Sequence, residues 1–362
     1  MRFSGSWLSG IEAQHATPEG TAGFVQAFAH ARENGFFRDA QTLKVSSLGL
    51  GSYLGNLDDD TDRGYRDAVE EAVRGGINFI DTSLNYRHQR SERAIGMALG
   101  DLFAAGEATR DEVVLCTKAG YLVPGAFPGE KLSPEDVVGG MHSMAPAFIR
   151  DQLERSLANL HVETIDVFYL HNPETQLEHI PREEFDGRLR AAFETCEQLA
   201  AERRIVWYGM ATWNGFRTRS ADSGLCLGRI VDIAREVAGP DHRLRFIQLP
   251  VNLAMLEGIA YNRECLNGRE LPVLKAAPAL GITVVASASL LQARLSRDLP
   301  DEIGRRLPEA VTDAARAIQF ARSVPGVSVA LTGMSQASHV RENLNVTGYP
   351  PSQLNEWFRN QE

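Results

Sequence analysis

Eight short runs rich in β-branched and apolar residues recur along the chain. They begin at Val45, Ile77, Val113, Ile165, Ile205, Phe246, Thr283 and Val327. Continuous apolar runs of this length suit strands buried on both faces, as in a parallel sheet. Segments with helical periodicity lie between them. Asp62–Gly75 carries Tyr65, Ala68, Val69, Ala72 and Val73 as one stripe and ends at Gly75 and Gly76, as a helix C-terminus should. Ser91–Leu99, Pro146–Leu160, Arg188–Arg203, Gly228–Ala238, Val273–Leu280 and Pro308–Ser323 follow the same logic, and Ser335–Leu344 reads as a short helix starting at its Ser335 cap. Eight strand–helix alternations predict an α/β fold closed into a (β/α)8 TIM barrel.

The barrel is expected over residues 45–346. Residues 1–44 form an N-terminal extension, with one helix over Thr21–Asn34 and a hairpin over Phe36–Val45 plugging the barrel bottom. Residues 347–362 form a tail, with Trp357 and Phe358 docked on the barrel. Gly120–Ala145, after the third run, is too long for a plain connection. It reads as a lid because it follows a strand's carboxyl end, the alternative being a disordered insertion.

Composition narrows the function classes. Among 362 residues, 37 Lys and Arg against 47 Asp and Glu give a net charge of −10. That balance argues against a nucleic-acid or anionic-membrane binder, which needs a basic surface. No apolar stretch approaches the length of a membrane span, and the first twenty residues lack a secretory layout. Cys116, Cys196, Cys226 and Cys265 lie far apart with no C-x-x-C pair, so neither a disulfide scaffold nor a structural zinc site is expected, and a reducing cytoplasm is the expected home. No His, Cys and Asp set has metal-ligand spacing. Asp58, Asp59 and Asp60 read as a solvated helix start suited to the N-terminal dipole.

Active sites in TIM barrels sit at the carboxyl ends of the strands. The second run ends at Asp81, with Tyr86 five residues on; the third ends at Lys118 and the fourth at His171. Each has a plain structural reading: Asp81 as a turn cap, Tyr86 as a wall aromatic, Lys118 as a rim ion pair, His171 as a satisfied buried histidine. An acid, a tyrosine, a lysine and a histidine at three consecutive strand ends point instead to acid–base chemistry.

These residues carry a family resemblance. NFIDTSLNY at Asn78–Tyr86, LCTKAG at Leu115–Gly120 and FYLHNP at Phe168–Pro173 resemble the aldo-keto reductases. LKVSSLGLGS at Leu43–Ser52, SERAIGMAL at Ser91–Leu99 and GMSQASHVRENL at Gly333–Leu344 extend the resemblance from about Phe37 to Asn343. It implies hydride transfer between a nicotinamide cofactor and the carbonyl of an aldehyde, ketone or sugar, or the reverse. Tyr86 would be the general acid, Lys118 would lower its pKa, Asp81 would orient Lys118, and His171 would donate a hydrogen bond to the substrate oxygen.

The resemblance also implies a cofactor site. Gln248 matches the family's carboxamide-binding glutamine; Ala211 and Thr212 stand where Ser-Asn is usual, leaving Thr212 or Asn214 to supply that bond. Trp213 is placed to stack on the nicotinamide or to sit at the rim. Ser287 and the loop from Leu290 through Arg294 to Arg297 would cover the pyrophosphate, and Gly333, Ser335, His339, Glu342 and Asn343 would hold the adenosine end. His339 replaces the usual Arg or Gln, yet NADP(H) is expected ahead of NAD(H). No metal is implied. The partner expected is a small carbonyl or alcohol, with no nucleic acid or membrane, and the N-terminal helix offers a surface for a homo-oligomer. A cofactor-binding sensor with little turnover, or a lyase or epimerase using held cofactor, are the alternatives. Tyr53, Tyr121, Phe127, Trp213 and Met255 would form an apolar substrate wall, with several arginines available to meet an anionic group.

Overall fold

A computed structural model of the chain describes residues 13–126, 128–129, 132–218, 223–262, 264–266, 268–354 and 357. Strands β1 (Phe37–Ala40) and β2 (Leu43–Ser46) pair as an antiparallel hairpin. Eight further strands close a barrel: β3 (Leu48–Gly51), β4 (Phe79–Asp81), β5 (Val114–Ala119), β6 (Ile165–His171), β7 (Ile205–Ala211), β8 (Leu244–Pro250), β11 (Thr283–Ser287) and β12 (Val327–Gly333). Their order around the barrel is β11-β12-β3-β4-β5-β6-β7-β8, and neighbouring strands run parallel. Between β8 and β11, β9 (Glu264–Leu266) and β10 (Arg269–Leu271) make a small hairpin. All eight expected runs are strands, and helices intervene, so the chain is a (β/α)8 TIM barrel.

The interior of the barrel is a separate apolar cluster. Phe79, Val114, Cys116, Val167, Tyr169, Phe246, Val285 and Val329 are fully buried there. Ala40, Leu43 and Val45 of the hairpin belong to the same cluster and seal its bottom. Gly49 fits because a Cβ there would stand 2.7 Å from the Leu331 side chain and 2.9 Å from that of Val329. The larger core lies between barrel and helices, where Val69, Ile95, Leu153, Leu189, Ile230 and Ile318 are buried.

Strand periodicity sets the site. Side chains two apart on a strand share a face. Phe79, Cys116, Tyr169 and Phe246 point inward, so Asp81, Lys118, His171 and Gln248 stand above them at the carboxyl rim.

Three local expectations are corrected. The stretch Thr21–Asn34 is two helices, Pro18–Gln26 and Ala29–Glu33, broken at Phe28, whose φ and ψ are −115° and 59°. The helix expected from Pro308 starts at Asp313, where the Thr312 side chain accepts the Ala315 amide. The last helix runs Ala337–Asn343 with Gln336, not Ser335, at its N-cap. Asp58 caps the helix Asp59–Arg74 by accepting the Thr61 amide, in keeping with an acidic helix start. Of the tail, Trp357 packs its ring 5.2 Å from that of Phe320, while Phe358 lies outside the described residues. No helix among the described residues is long and apolar enough to cross a membrane.

Candidate active site

The carboxyl face holds a cleft of about 460 Å³. Asp81, Tyr86, His171, Thr212, Gln248, Ser287, Leu290 and Gly333 line it. Tyr53, Tyr121 and Trp213 form its aromatic wall; Met255 is not among the lining residues, and Phe127 lies outside the described residues.

Lys118 lies beneath this cleft and is 1% exposed. Its Nζ donates to Asp81 Oδ1 at 2.5 Å and to the Thr82 carbonyl at 2.7 Å, and lies 4.7 Å from the Tyr86 ring centroid. The other carboxylate oxygen of Asp81 accepts from Gln248 Nε2 at 2.8 Å. A buried cation therefore has a buried anion whose two oxygens are both satisfied, which is the condition for such a pair to be tolerated. Burial works against the Lys118 ammonium, but Asp81 and Tyr86 outweigh it and hold the pKa above the usual lysine value. Burial pushes the Asp81 carboxyl upward against the opposing pull of Lys118 and Gln248.

Tyr86 projects from a tight loop after β4. Three successive non-glycine residues, Arg87, His88 and Gln89, have φ of 48°, 50° and 73°, and turn the chain into the next helix. Arg87 straps this loop to its neighbour: Nε donates to the Asn56 carbonyl at 2.8 Å, and Nη2 pairs with Asp62 at 2.5 Å. The Lys118 charge does pull the phenol downward, but burial outweighs it and the Tyr86 pKa stands above its ordinary value. Desolvation of a phenolate in this cleft exceeds the attraction of an ammonium already shared with Asp81.

His171 ends β6 with its ring edge-on to those of Tyr86 and Tyr121, at centroid distances of 5.8 and 5.2 Å. Burial and the neighbouring Lys118 charge hold its pKa well below the usual histidine value, so it is neutral. The loop that follows β5 is pinned here. His142 Nε2 donates to the His171 carbonyl at 2.8 Å, and Tyr121 and His142 form an isolated antiparallel bridge. Sequence reasoning missed His142: it lies in no motif, and its partner is a backbone oxygen.

The remaining residues divide into two groups. Thr212 Oγ1 and Ser289 Oγ are buried in the cleft wall without partners. Gly51 and Gly333 also face it, and nothing lies within 4 Å of a Cβ built on Gly333. Ala288, Leu291, Gln292 and Ala293 at the lip have φ of 55°, 45°, 53° and 67°. Left-handed backbone in non-glycine residues costs roughly 1–2 kcal/mol each and gathers at ligand clamps. Unpartnered hydroxyls, side-chain-free strand ends and a strained lip together fit an elongated polar ligand. By contrast, Asn214 lines an adjoining polar compartment, Arg294 and His339 are exposed, and Ser335, Glu342 and Asn343 are not among the cleft-lining residues. No cluster of His, Cys, Asp and Glu able to hold a metal occurs among the described residues.

Residues 47–223 match the model of the aldo/keto reductase family. The chain is 28% identical over 249 residues to an uncharacterized oxidoreductase, YrpG, of Bacillus subtilis strain 168, covering 68% of this chain and 64% of that one. The chain thus spans less than two thirds of that relative's length. It is 27% identical over 341 residues to a D-threo-aldose 1-dehydrogenase from a Pseudomonas species, covering 87% of this chain and 89% of that one. In fold it is similar to an aldo/keto reductase from Klebsiella pneumoniae crystallised with NADP and acetate, with a TM-score of 0.62 and 21% identity over 89% of this chain and 93% of the other. Through residues 47–223 this chain is similar to the aldo/keto reductase family, and its closed barrel is the fold of the solved aldo/keto reductases it resembles.

Proposed function

We propose that this chain is an NADP(H)-dependent oxidoreductase that reduces an aldehyde, ketone or sugar carbonyl to the alcohol, or runs the reverse. The observation that carries this reading is the position of Lys118 Nζ, 2.5 Å from Asp81 and 4.7 Å from the Tyr86 ring, beneath a cleft that His171 also lines. The NADP of the Klebsiella relative supports the cofactor, as do the unpartnered hydroxyls of Thr212 and Ser289.

The bound cofactor supplies or takes the hydride. Tyr86 gives its phenolic proton to the carbonyl oxygen as negative charge develops there, and takes it back in the oxidation direction. Lys118 stabilises the phenolate left behind, and Asp81 holds Lys118 in place. His171, neutral, donates a hydrogen bond to the same oxygen and fixes its approach. Thr212, Ser287, Ser289 and Gly333 would hold the cofactor along the cleft, with Gln248 joining through its amide oxygen. Leu290 and Arg294 would cover its phosphates, and Ser335, His339, Glu342, Asn343 and Asn214 would complete its binding.

The substrate reading favours an uncharged molecule. Arg217, the cation among the described residues lining the adjoining compartment, is held by both carboxylate oxygens of Glu257, at 2.7 and 3.1 Å. Glu174 and Glu178 line the same compartment. A carboxylate or phosphate would meet this acidic lining.

Mixing the protein with NADPH and a panel of aldehydes, ketones and aldoses tests the reading. The expected result is carbonyl-dependent loss of NADPH absorbance. Tight NADPH binding with no turnover on any member of the panel, in either direction, would favour a sensor.

A further inference from the structure

The reductase reading requires that His171 present an N–H to the cleft, and a neutral imidazole has only one. Which nitrogen carries it is set by the partner of the other. That partner is Ser83, a fully buried residue two positions beyond Asp81, whose Oγ lies 3.2 Å from His171 Nδ1.

Ser83 also has a single proton, and three acceptors compete for it. Besides His171 Nδ1, these are the Asn85 amide oxygen at 2.6 Å and the Lys118 carbonyl at 3.3 Å. If the proton goes to either oxygen, His171 must donate from Nδ1 to keep its bond with Ser83, and a bare Nε2 faces the cleft. If it goes to Nδ1, Nε2 carries the hydrogen. Asn85 is half-buried and lines the cleft, so a half-turn of its amide puts the NH2 against Ser83 Oγ. Ser83 then accepts from Asn85 and donates to His171, and each hydrogen of the chain has one acceptor.

We propose that Ser83 is a positioning residue: its hydroxyl donates to Nδ1 of His171 and so places the imidazole proton on Nε2, facing the substrate oxygen. This rests on the reductase reading above. Asn85 is the second member of the relay, and it delivers its amide hydrogen to Ser83. The backbone of His171 is held separately, since its carbonyl accepts from His142.

The test is 15N NMR of the whole protein labelled at histidine, with the His171 signals assigned by their loss in His171→Gln. The native protein should show protonated Nε2 and bare Nδ1. Ser83→Ala should give a mixture of tautomers and a fall in kcat of about tenfold or more, with KM for NADPH unchanged. Ser83→Thr, which restores the hydroxyl, should recover both. Asn85→Asp should draw the Ser83 proton to the carboxylate and move the His171 proton to Nδ1. A native protein protonated on Nδ1, or a Ser83→Ala variant with unaltered tautomer and kcat, would overturn the proposal. Protonated Nε2 lost in Ser83→Ala, in a protein that reduces no carbonyl, would sustain the role of Ser83 and remove the reductase reading instead.

Discussion

Gln248 donates its side-chain amide to the one oxygen of Asp81 that Lys118 leaves free, at 2.8 Å and across 167 residues of sequence. The family resemblance points this glutamine at the nicotinamide; in the fold its NH2 is already engaged, and it completes a three-residue charge cluster. Removing it should leave a buried carboxylate oxygen unsatisfied, at a cost of about 1–3 kcal/mol. Urea unfolding of Gln248→Leu should show that loss, and most of it should vanish when Asp81→Asn is added.

Lys118 and Asp81 form the more sensitive half of the cluster. With side chains 0% and 4% exposed, each is the other's only full countercharge in direct contact among the described residues. Breaking a buried pair by removing one partner costs roughly 3–5 kcal/mol, because an uncompensated charge is left behind. Lys118→Met should therefore lose about that much in denaturant titration. The double variant Lys118→Met with Asp81→Asn should recover a large part. Additive losses would mean that the two side chains do not act as a pair.

Acid should destabilise the fold through His142, in the loop after β5. Burial lowers the His142 pKa from 6.5 to about 4. The folded protein thus binds fewer protons at this site than the unfolded chain does between those two values. Stability from His142 is fully present above the unfolded pKa and is lost as pH falls towards the folded one. The loss is about 1.4 kcal/mol per pH unit, or about 3 kcal/mol over the window. Unfolding titrations at pH 7 and pH 5 should show a smaller difference for His142→Gln than for the native chain.

Gly333 gives a steric test of the cofactor cleft. Nothing lies within 4 Å of a Cβ there, so Gly333→Val should fold with an almost unchanged melting temperature. Gly333 lines the cleft, so a cofactor held there should meet the new side chain, and NADPH affinity should fall at least about tenfold by fluorescence titration. Unchanged affinity would move the cofactor elsewhere.

The fold was legible because period-two and period-3.6 patterns survive in single stretches of chain. Pro146–Leu160 is a helix over just the expected residues. The break at Phe28 was not legible, because Phe24 and Phe28 pack as ring neighbours at 5.0 Å and carry the apolar stripe straight across it. At the site, Asp81, Lys118 and His171 could be placed because each lies at, or one residue before, the end of a strand. The Gln248–Asp81 bond joins strands far apart in sequence, and no spacing rule links them. The left-handed lip at Leu291–Ala293 contains no glycine, so the usual signal for such backbone was missing. Ser83 carries no chemical signal in the sequence, and only its distance from His171 gives it a use.

The proton on Tyr86 is the centre of the account, and one comparison addresses it. NADPH oxidation by the native chain and by Tyr86→Phe should be followed on the best carbonyl of the panel, with NADPH binding measured in parallel. The expected result is a rate lower by about 10²–10⁴ in the variant, with cofactor affinity within threefold of native, about 0.7 kcal/mol. Equal rates for the two proteins would remove the phenol from the reaction and contradict the mechanism.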